Sequence, residues 1–418
     1  MTSNNCTMPK KDTELVLRDL QTLLRETIGN EVIVVKYDTI NLLPKGENYS
    51  STMLKVNSVI KRTEDSPEEN LALVAKMIPV TEFQQSHINC TTSFNKEMYV
   101  YKILMPAFRE LEKEVGVKDE DLIDITPKYY GGRLSMNREK LDVADIDAVM
   151  LMENLKEHGY YTMNRIRGLD LGHAKMALRE LARFHALSMA LRKKKPSFFE
   201  EVKKSLNDFP FKMVENEFDD SIRHIISTVC EYPQTAKYED RIRASIEANK
   251  DWIKTMNTEP EEPWIAINHG DFWSNNMLFR QENGKVKDIK FVDFQITRVS
   301  SPLKDLPYFL CGSVAMDVME KQFDELLDTY HNSLIDVLTK TGCATSPYSR
   351  KSFDERLKKE ANSELLRCLF AAKFFTQETS DDIDLNDMVN SVTMSKTTNL
   401  YLERSWMIVS KFVEKGWI

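Results

Sequence analysis

"INHGDFWSNNMLF", residues Ile267–Phe279, is the stretch on which the reading of this 418-residue chain turns. An apolar approach from Trp264 to Ile267 stops abruptly at His269, Gly270 and Asp271. Two amides, Asn275 and Asn276, follow before the chain turns apolar again. A core strand has no use for these groups, and a plain surface loop would not run between two apolar segments. A carboxylate in such surroundings costs several kcal/mol unless something pairs with it.

Downstream, "NMLFR" reads as a short strand, Asn283–Gly284 as a turn, and "IKFVDFQ" as a second strand that ends at Asp293 with Phe294 beside it. His269, Asp271 and Asn276 have the form H-x-D-x-x-x-x-N, the arrangement of a kinase catalytic loop. The spacing has a reason. The aspartate has to reach an acceptor hydroxyl, while the asparagine has to point back at a metal on the ATP phosphates. In that arrangement Asp293 would bind magnesium, and a metal bridged to phosphates would compensate two buried carboxylates. The expected roles are therefore catalytic for Asp271 and metal-binding for Asn276 and Asp293. His269 is expected to be a structural hydrogen-bonding group, and Phe272, Trp273 and Phe294 to be packing residues.

Upstream, the periodicity predicts a helix over Asp12–Ile28 and strands in "EVIVVKYDTINLL" and in the segment carrying Leu54, Val56, Ser58 and Ile60 on one face. It predicts another strand in "LALVAKMIPV", a helix in "TTSFNKEMYVYKILMPAF", and two further strands in "PKYYGGRL" and "DAVMLMENL". Lys76, a lone cation in an apolar strand, and Glu97, on the following helix, are the residue types that form the phosphate-aiming ion pair of a kinase. The alternatives are a lysine snorkelling from an edge strand and a solvated glutamate with Glu110 nearby. The turn "PKGENYSS" holds a single glycine and places Asn48, Ser50 and Ser51 where a nucleotide loop belongs. "MLMENL" would be a hinge meeting an adenine edge with backbone groups near Glu153 to Leu155. Past Glu157 helical patterns dominate, led by "DLGHAKMALRELARFHALSMALRKKK", in which His185 reads as a satisfied core histidine. Asp305 reads as an anchor for a helix bracing the site.

Taken together, "GENYSS", "SFNKEMYVYKIL", "LMENLKEHGYYTMNRIRGLDLGHAKMALRELARFHA", "NHGDFWSNNMLF" and "FVDFQITRVSSPLKDLPYFL" resemble the ecdysteroid kinase-like (CHK kinase-like) family of insects. That family sits within the aminoglycoside and choline phosphotransferase relatives of protein kinases. The resemblance runs from about Leu42 to Leu310. It implies an α+β, two-lobed protein-kinase-like fold: an N-terminal antiparallel sheet lobe with one key helix over residues 1–155, and a larger, mostly helical lobe over 156–418. It also implies an ATP- and magnesium-dependent phosphotransferase acting on a small-molecule alcohol, with ecdysteroids as the namesake substrates and xenobiotic alcohols as the alternative. No G-x-G-x-x-G occurs, Gln295 stands where protein kinases carry the D-F-G glycine, and no A-P-E segment follows. A peptide platform is therefore not expected. Trp273, Tyr308, Phe309, Phe374 and Phe375 are candidates to line an acceptor pocket.

Composition sets the outer bounds. A net charge of -8 argues against nucleic acid, whose phosphates need a basic surface. The basic run Arg192–Lys195 reads as a solvated helix end. Six scattered cysteines without C-x-x-C spacing suit reduced thiols. The opening residues show no signal-peptide h-region, and no apolar run approaches the ~20 residues of a membrane span. The expectation is a soluble, cytoplasmic enzyme, with a nucleotide-binding protein lacking transfer activity as the reading from another class.

Overall fold

The period-2 segments become five strands, β1 (Ile33–Asn41), β2 (Thr52–Lys61), β3 (Glu69–Met77), β4 (Tyr129–Arg133) and β5 (Val149–Glu153). They form one sheet in the order β1-β2-β3-β5-β4, with every neighbouring pair antiparallel. Leu54, Val56, Ser58 and Ile60 share the buried face of β2, as their alternation requires. β1 lies at the sheet edge, and from Val35 onward its side chains are exposed. The computed structural model describes residues 15–42, 51–79, 88–211, 219–250, 260–377 and 396–418.

The first helix is shorter than its sequence pattern. It spans Leu20–Ile28, and Asp19, at φ 49°, caps it by accepting from the Thr22 N–H at 3.3 Å. Leu15 and Leu17 are buried while Val16 and Arg18 are exposed, so this stretch alternates as an extended segment. Leu17 stands three and seven residues before Leu20 and Leu24, a helical spacing, whereas its two-residue spacing from Leu15 is extended, and the cap decides where the helix begins. This helix lies against β4 so closely that a Cβ on Gly131 would sit 2.2 Å from the main-chain oxygen of Leu23. Its buried leucines join buried side chains of β2, β3 and β5 in one core, with Tyr130 of β4 packed against it.

The chain divides into two compact units, Met1–Phe94 with Lys128–Asn154, and Asn95–Pro127 with Leu155–Ile418. The helix expected over 91–108 runs as α-helix Cys90–Tyr99, a π-helical stretch Val100–Leu104, and α-helix Met105–Glu114. In the second unit the Leu171–Lys194 helix is capped by Asp170, which accepts from the His173 N–H at 3.0 Å. It packs against the Met316–Lys340 helix, and Arg192, Lys193 and Lys194 close its last turn. Two small antiparallel pairs carry the opening stretch: β6 (Ala266–Asn268) with β9 (Arg298–Ser300), and β7 (Met277–Glu282) with β8 (Lys285–Phe291). The helices Asp305–Ser313, Arg350–Thr376 and Asn399–Glu414 complete this unit. Cys90, Cys230, Cys311, Cys343 and Cys368 are free thiols. Among the described residues no helix is long and apolar enough to cross a membrane.

Candidate active site

β6 enters the site tethered to the long helix, because the Ile267 N–H donates to Ser188 Oγ at 2.6 Å. The chain then turns at Gly270, whose φ of +83° suits glycine and whose Cβ would lie 2.7 Å from the Ile296 carbonyl oxygen. The buried Asp305 carboxylate accepts the N–H of His269 at 2.8 Å and of Gly270 at 3.0 Å. It also bonds His185 Nε2 at 3.3 Å, whose Nδ1 meets the Tyr330 hydroxyl at 2.8 Å. Burial opposes the charge on Asp305, but the His185 and backbone donors prevail and hold its carboxyl below the usual value. Asp305 thus anchors the loop directly as well as opening its own helix, and His185 is the satisfied core histidine expected.

His269 is fully enclosed, and burial pushes its imidazole below the usual value, with three nearby carboxylates opposing. The neutral ring bonds twice: Nε2–H donates to the Val292 carbonyl at 3.1 Å, and Nδ1 accepts the Asp271 N–H at 3.3 Å. It packs against Phe294, ring centroids 4.7 Å apart and planes tilted by 41°. Both residues therefore build the loop from inside, as expected. Phe272 packs between Phe291 and Phe309, which places Phe309 in the core rather than on a pocket wall.

Asp271 projects from this scaffold. Its Oδ1 accepts the Tyr308 hydroxyl at 2.9 Å, and its Oδ2 accepts Trp273 Nε1–H at 3.2 Å and Asn276 Nδ2–H at 3.0 Å. The Asn276 amide also reaches the Asp271 main-chain oxygen at 2.9 Å. Burial raises the Asp271 carboxyl above its usual value, and the neighbouring charge of Asp293 raises it further. Asp293 follows β8 at φ 67°, a left-handed conformation that aspartate tolerates better than most residues. The chain around it is fixed by the Val292 N–H on the Asn276 carbonyl at 3.1 Å.

Glu97 is buried in the same unit, whereas Glu110 is exposed. The Tyr101 hydroxyl donates to Glu97 Oε1 at 3.3 Å. It also meets the backbone of Asp293, so Tyr101 joins Glu97 to Asp293. Burial, then Glu97 and Asp293, keep this phenol protonated. Its helical position in "EMYVY", one turn past Glu97, was the available signal. Sequence reasoning also missed Arg367, whose guanidinium lies 3.9 Å from the Tyr308 ring centroid and donates to the Gly270 carbonyl.

The structure brings Asp271, Asn276, Asp293 and Glu97 into one constellation of the second unit. In the first unit Lys76 is buried on β3, opposite Met53 and Met150, and Ser51 is buried just before β2. Asn48 and Ser50 lie outside the described residues. Glu153 ends β5, its N–H donating to the Lys128 carbonyl at 2.9 Å and its carboxylate accepting from the Lys128 N–H at 3.2 Å. Leu155, buried, opens a short 3₁₀ turn, and its carbonyl accepts from Tyr160 N–H at 3.1 Å.

A family model described as the ecdysteroid kinase-like family matches residues 45–343. No curated protein matches the chain. Among solved structures the chain is similar to a Plasmodium vivax ethanolamine kinase, with 12% identity, 95% of this chain and 87% of that chain covered, and a TM-score of 0.41. It is similar to a choline kinase from Cryptosporidium parvum, with 12% identity, 91% of each chain covered, and a TM-score of 0.39. A microcompartment-associated aminopropanol kinase gives 11% identity, coverage of 92% and 94%, and a TM-score of 0.44.

Proposed function

This chain belongs to the ecdysteroid kinase-like family, and from that premise we propose that it transfers the γ-phosphoryl group of ATP to a hydroxyl of a small-molecule alcohol, an ecdysteroid foremost. The observation that carries the reading is Asp271 itself, a half-buried carboxylate fixed by three donors and set beside a second carboxylate, Asp293. A merely structural aspartate would not be left with a like charge as neighbour at the end of a rigid loop.

The donor chemistry fits magnesium. Asn276 spends its amide nitrogen on Asp271, while its amide oxygen takes no hydrogen bond among the described residues. Together with the Asp293 carboxylate this makes an oxygen-only pair, and magnesium takes one or two such protein ligands and fills its shell with phosphates and water. When bound, the ion would neutralise phosphate charge. Asp271 accepts the proton of the acceptor hydroxyl as that oxygen bonds to the γ-phosphorus and the bond to the bridging oxygen breaks, releasing ADP. Glu97, held by Tyr101, is assigned to orienting Lys76, and Lys76 and Ser51, with Asn48 and Ser50, to the phosphates. Glu153 and Leu155 are assigned to the adenine edge. The Glu153 and Asn154 N–H groups are already engaged, by Lys128 and Ala72, so the Leu155 N–H is the hinge donor in this reading.

The test is transfer of labelled γ-phosphate from Mg-ATP to ecdysone, 20-hydroxyecdysone and a panel of xenobiotic alcohols. A positioned base contributes about 10²–10⁴-fold, so Asp271→Asn should lose turnover on that scale while still binding ATP. Near-parental turnover in that variant would refute the assignment. Activity on the xenobiotic panel but not on the steroids would replace the ecdysteroid acceptor and leave the chemistry standing.

A further inference from the structure

We infer that the acceptor hydroxyl is received at the Oδ1 edge of Asp271, beside the Tyr308 phenol, and that Tyr308 and Trp273 are the positioning residues that leave only this edge open. The inference rests on the reading of Asp271 as the group that takes the acceptor proton.

An ionised carboxylate offers about four lone-pair positions, two on each oxygen. Oδ2 is filled by Trp273 Nε1–H at 3.2 Å and Asn276 Nδ2–H at 3.0 Å. Oδ1 takes one donor among the described residues, the Tyr308 hydroxyl at 2.9 Å. One position therefore remains, and it adjoins the phenol.

The donors themselves are rigid. Tyr308 is buried, and burial followed by the Asp271 charge keeps its hydroxyl protonated, so it always donates. The Arg367 cation over its ring at 3.9 Å draws electron density from the phenol and strengthens that donation. Arg367 also holds the Gly270 carbonyl, which ties the turn of the loop to the same tyrosine. Phe375 is the common floor: Trp273 stacks on it at 4.7 Å and 29°, and Tyr308 meets it edge-on at 5.8 Å and 69°. The Arg350–Thr376 helix thereby sets the carboxylate plane through the two side chains that pack on its Phe375.

Tyr308→Phe keeps the ring and its packing and deletes only the hydroxyl. The measurement is kcat and KM for Mg-ATP, in transfer to 20-hydroxyecdysone and in hydrolysis with water as acceptor, together with the melting temperature. A lost hydrogen bond to a charged group should lower kcat about 10- to 100-fold. KM for ATP should stay within about twofold, because uniform binding is untouched. Trp273→Phe should lower kcat less, since Asn276 still holds Oδ2. If Tyr308→Phe fails to fold, Trp273→Phe carries the test, and a parental kcat there overturns the inference. A parental kcat in Tyr308→Phe, with Asp271→Asn inactive, overturns the inference alone. Full activity in Asp271→Asn, or neither transfer nor hydrolysis by the parent protein, overturns the underlying reading and the inference with it.

Discussion

Asp305→Asn is the most informative single perturbation of the loop. The side chain is fully buried and its two oxygens serve three donors, the His269 N–H and His185 on Oδ2 and the Gly270 N–H on Oδ1. Asparagine keeps the shape but has one oxygen. Whichever way the amide turns, its NH₂ faces a donor, so at least one buried donor loses its acceptor. That costs about 1–3 kcal/mol, and the surviving bonds lose their charge assistance at about 1 kcal/mol each. The expected destabilisation is about 3–5 kcal/mol, read from urea midpoints at neutral pH. The pH dependence has a fixed sign. The Asp305 carboxyl is held below its ordinary 3.8, so its contribution is fully present above that value and is lost as pH falls through the lower folded value. The gap between parent and variant should therefore be flat from about pH 5 to 8 and narrow in acid. A variant within about 0.5 kcal/mol of the parent would refute the claim that this carboxylate holds the loop, since changes of that size are ordinary for neutral surface sites.

Two further expectations concern stability elsewhere. Gly131→Ala places a Cβ 2.2 Å from the Leu23 main-chain oxygen, and backbone cannot yield as a side chain would. A loss of about 2 kcal/mol or more is expected in thermal unfolding, and an unchanged melting temperature would contradict the close approach. Lys96 is buried with its ammonium on the Asp208 carbonyl at 2.7 Å, and burial, then Arg298, lower its pKa to about 7. A lysine with a depressed folded pKa destabilises fully below about 7, and the penalty is relieved as pH rises from there toward its ordinary 10.5. Lys96→Met should thus stabilise at pH 6 by on the order of a few kcal/mol and much less at pH 10. A benefit that does not shrink with pH would rule this out.

The strands and the loop were legible because their information is local. Leu54, Val56, Ser58 and Ile60 declare a buried face by alternation alone, and His269, Asp271 and Asn276 lie within one short turn. The first helix was less legible. Leu17 keeps a helical spacing to Leu20 and Leu24 and an extended spacing to Leu15, and only the left-handed Asp19 cap decides where the helix begins. Glu97 and Glu110 could not be ranked from pattern, because both sit on helical segments and burial alone distinguishes them.

By itself the sequence determined which residue types stand where: a carboxylate and an amide, Asp271 and Asn276, five residues apart, a second carboxylate, Asp293, after the next two strands, a strand lysine, and a helix glutamate. Motif spacing is a property of consecutive residues, and the backbone periods of strand and helix translate it directly into local geometry. Only the tertiary structure decided which distant groups meet those residues. Asp305 fastens the loop from a later helix, Tyr101 joins Glu97 to Asp293, the Tyr308 hydroxyl donates to Asp271, and Arg367 lies over the Tyr308 ring. Those contacts arise where helices meet the loops that carry Asp271 and Asp293. They depend on the rotation and depth of each helix, which the packing of the whole core sets and no short window of residues encodes.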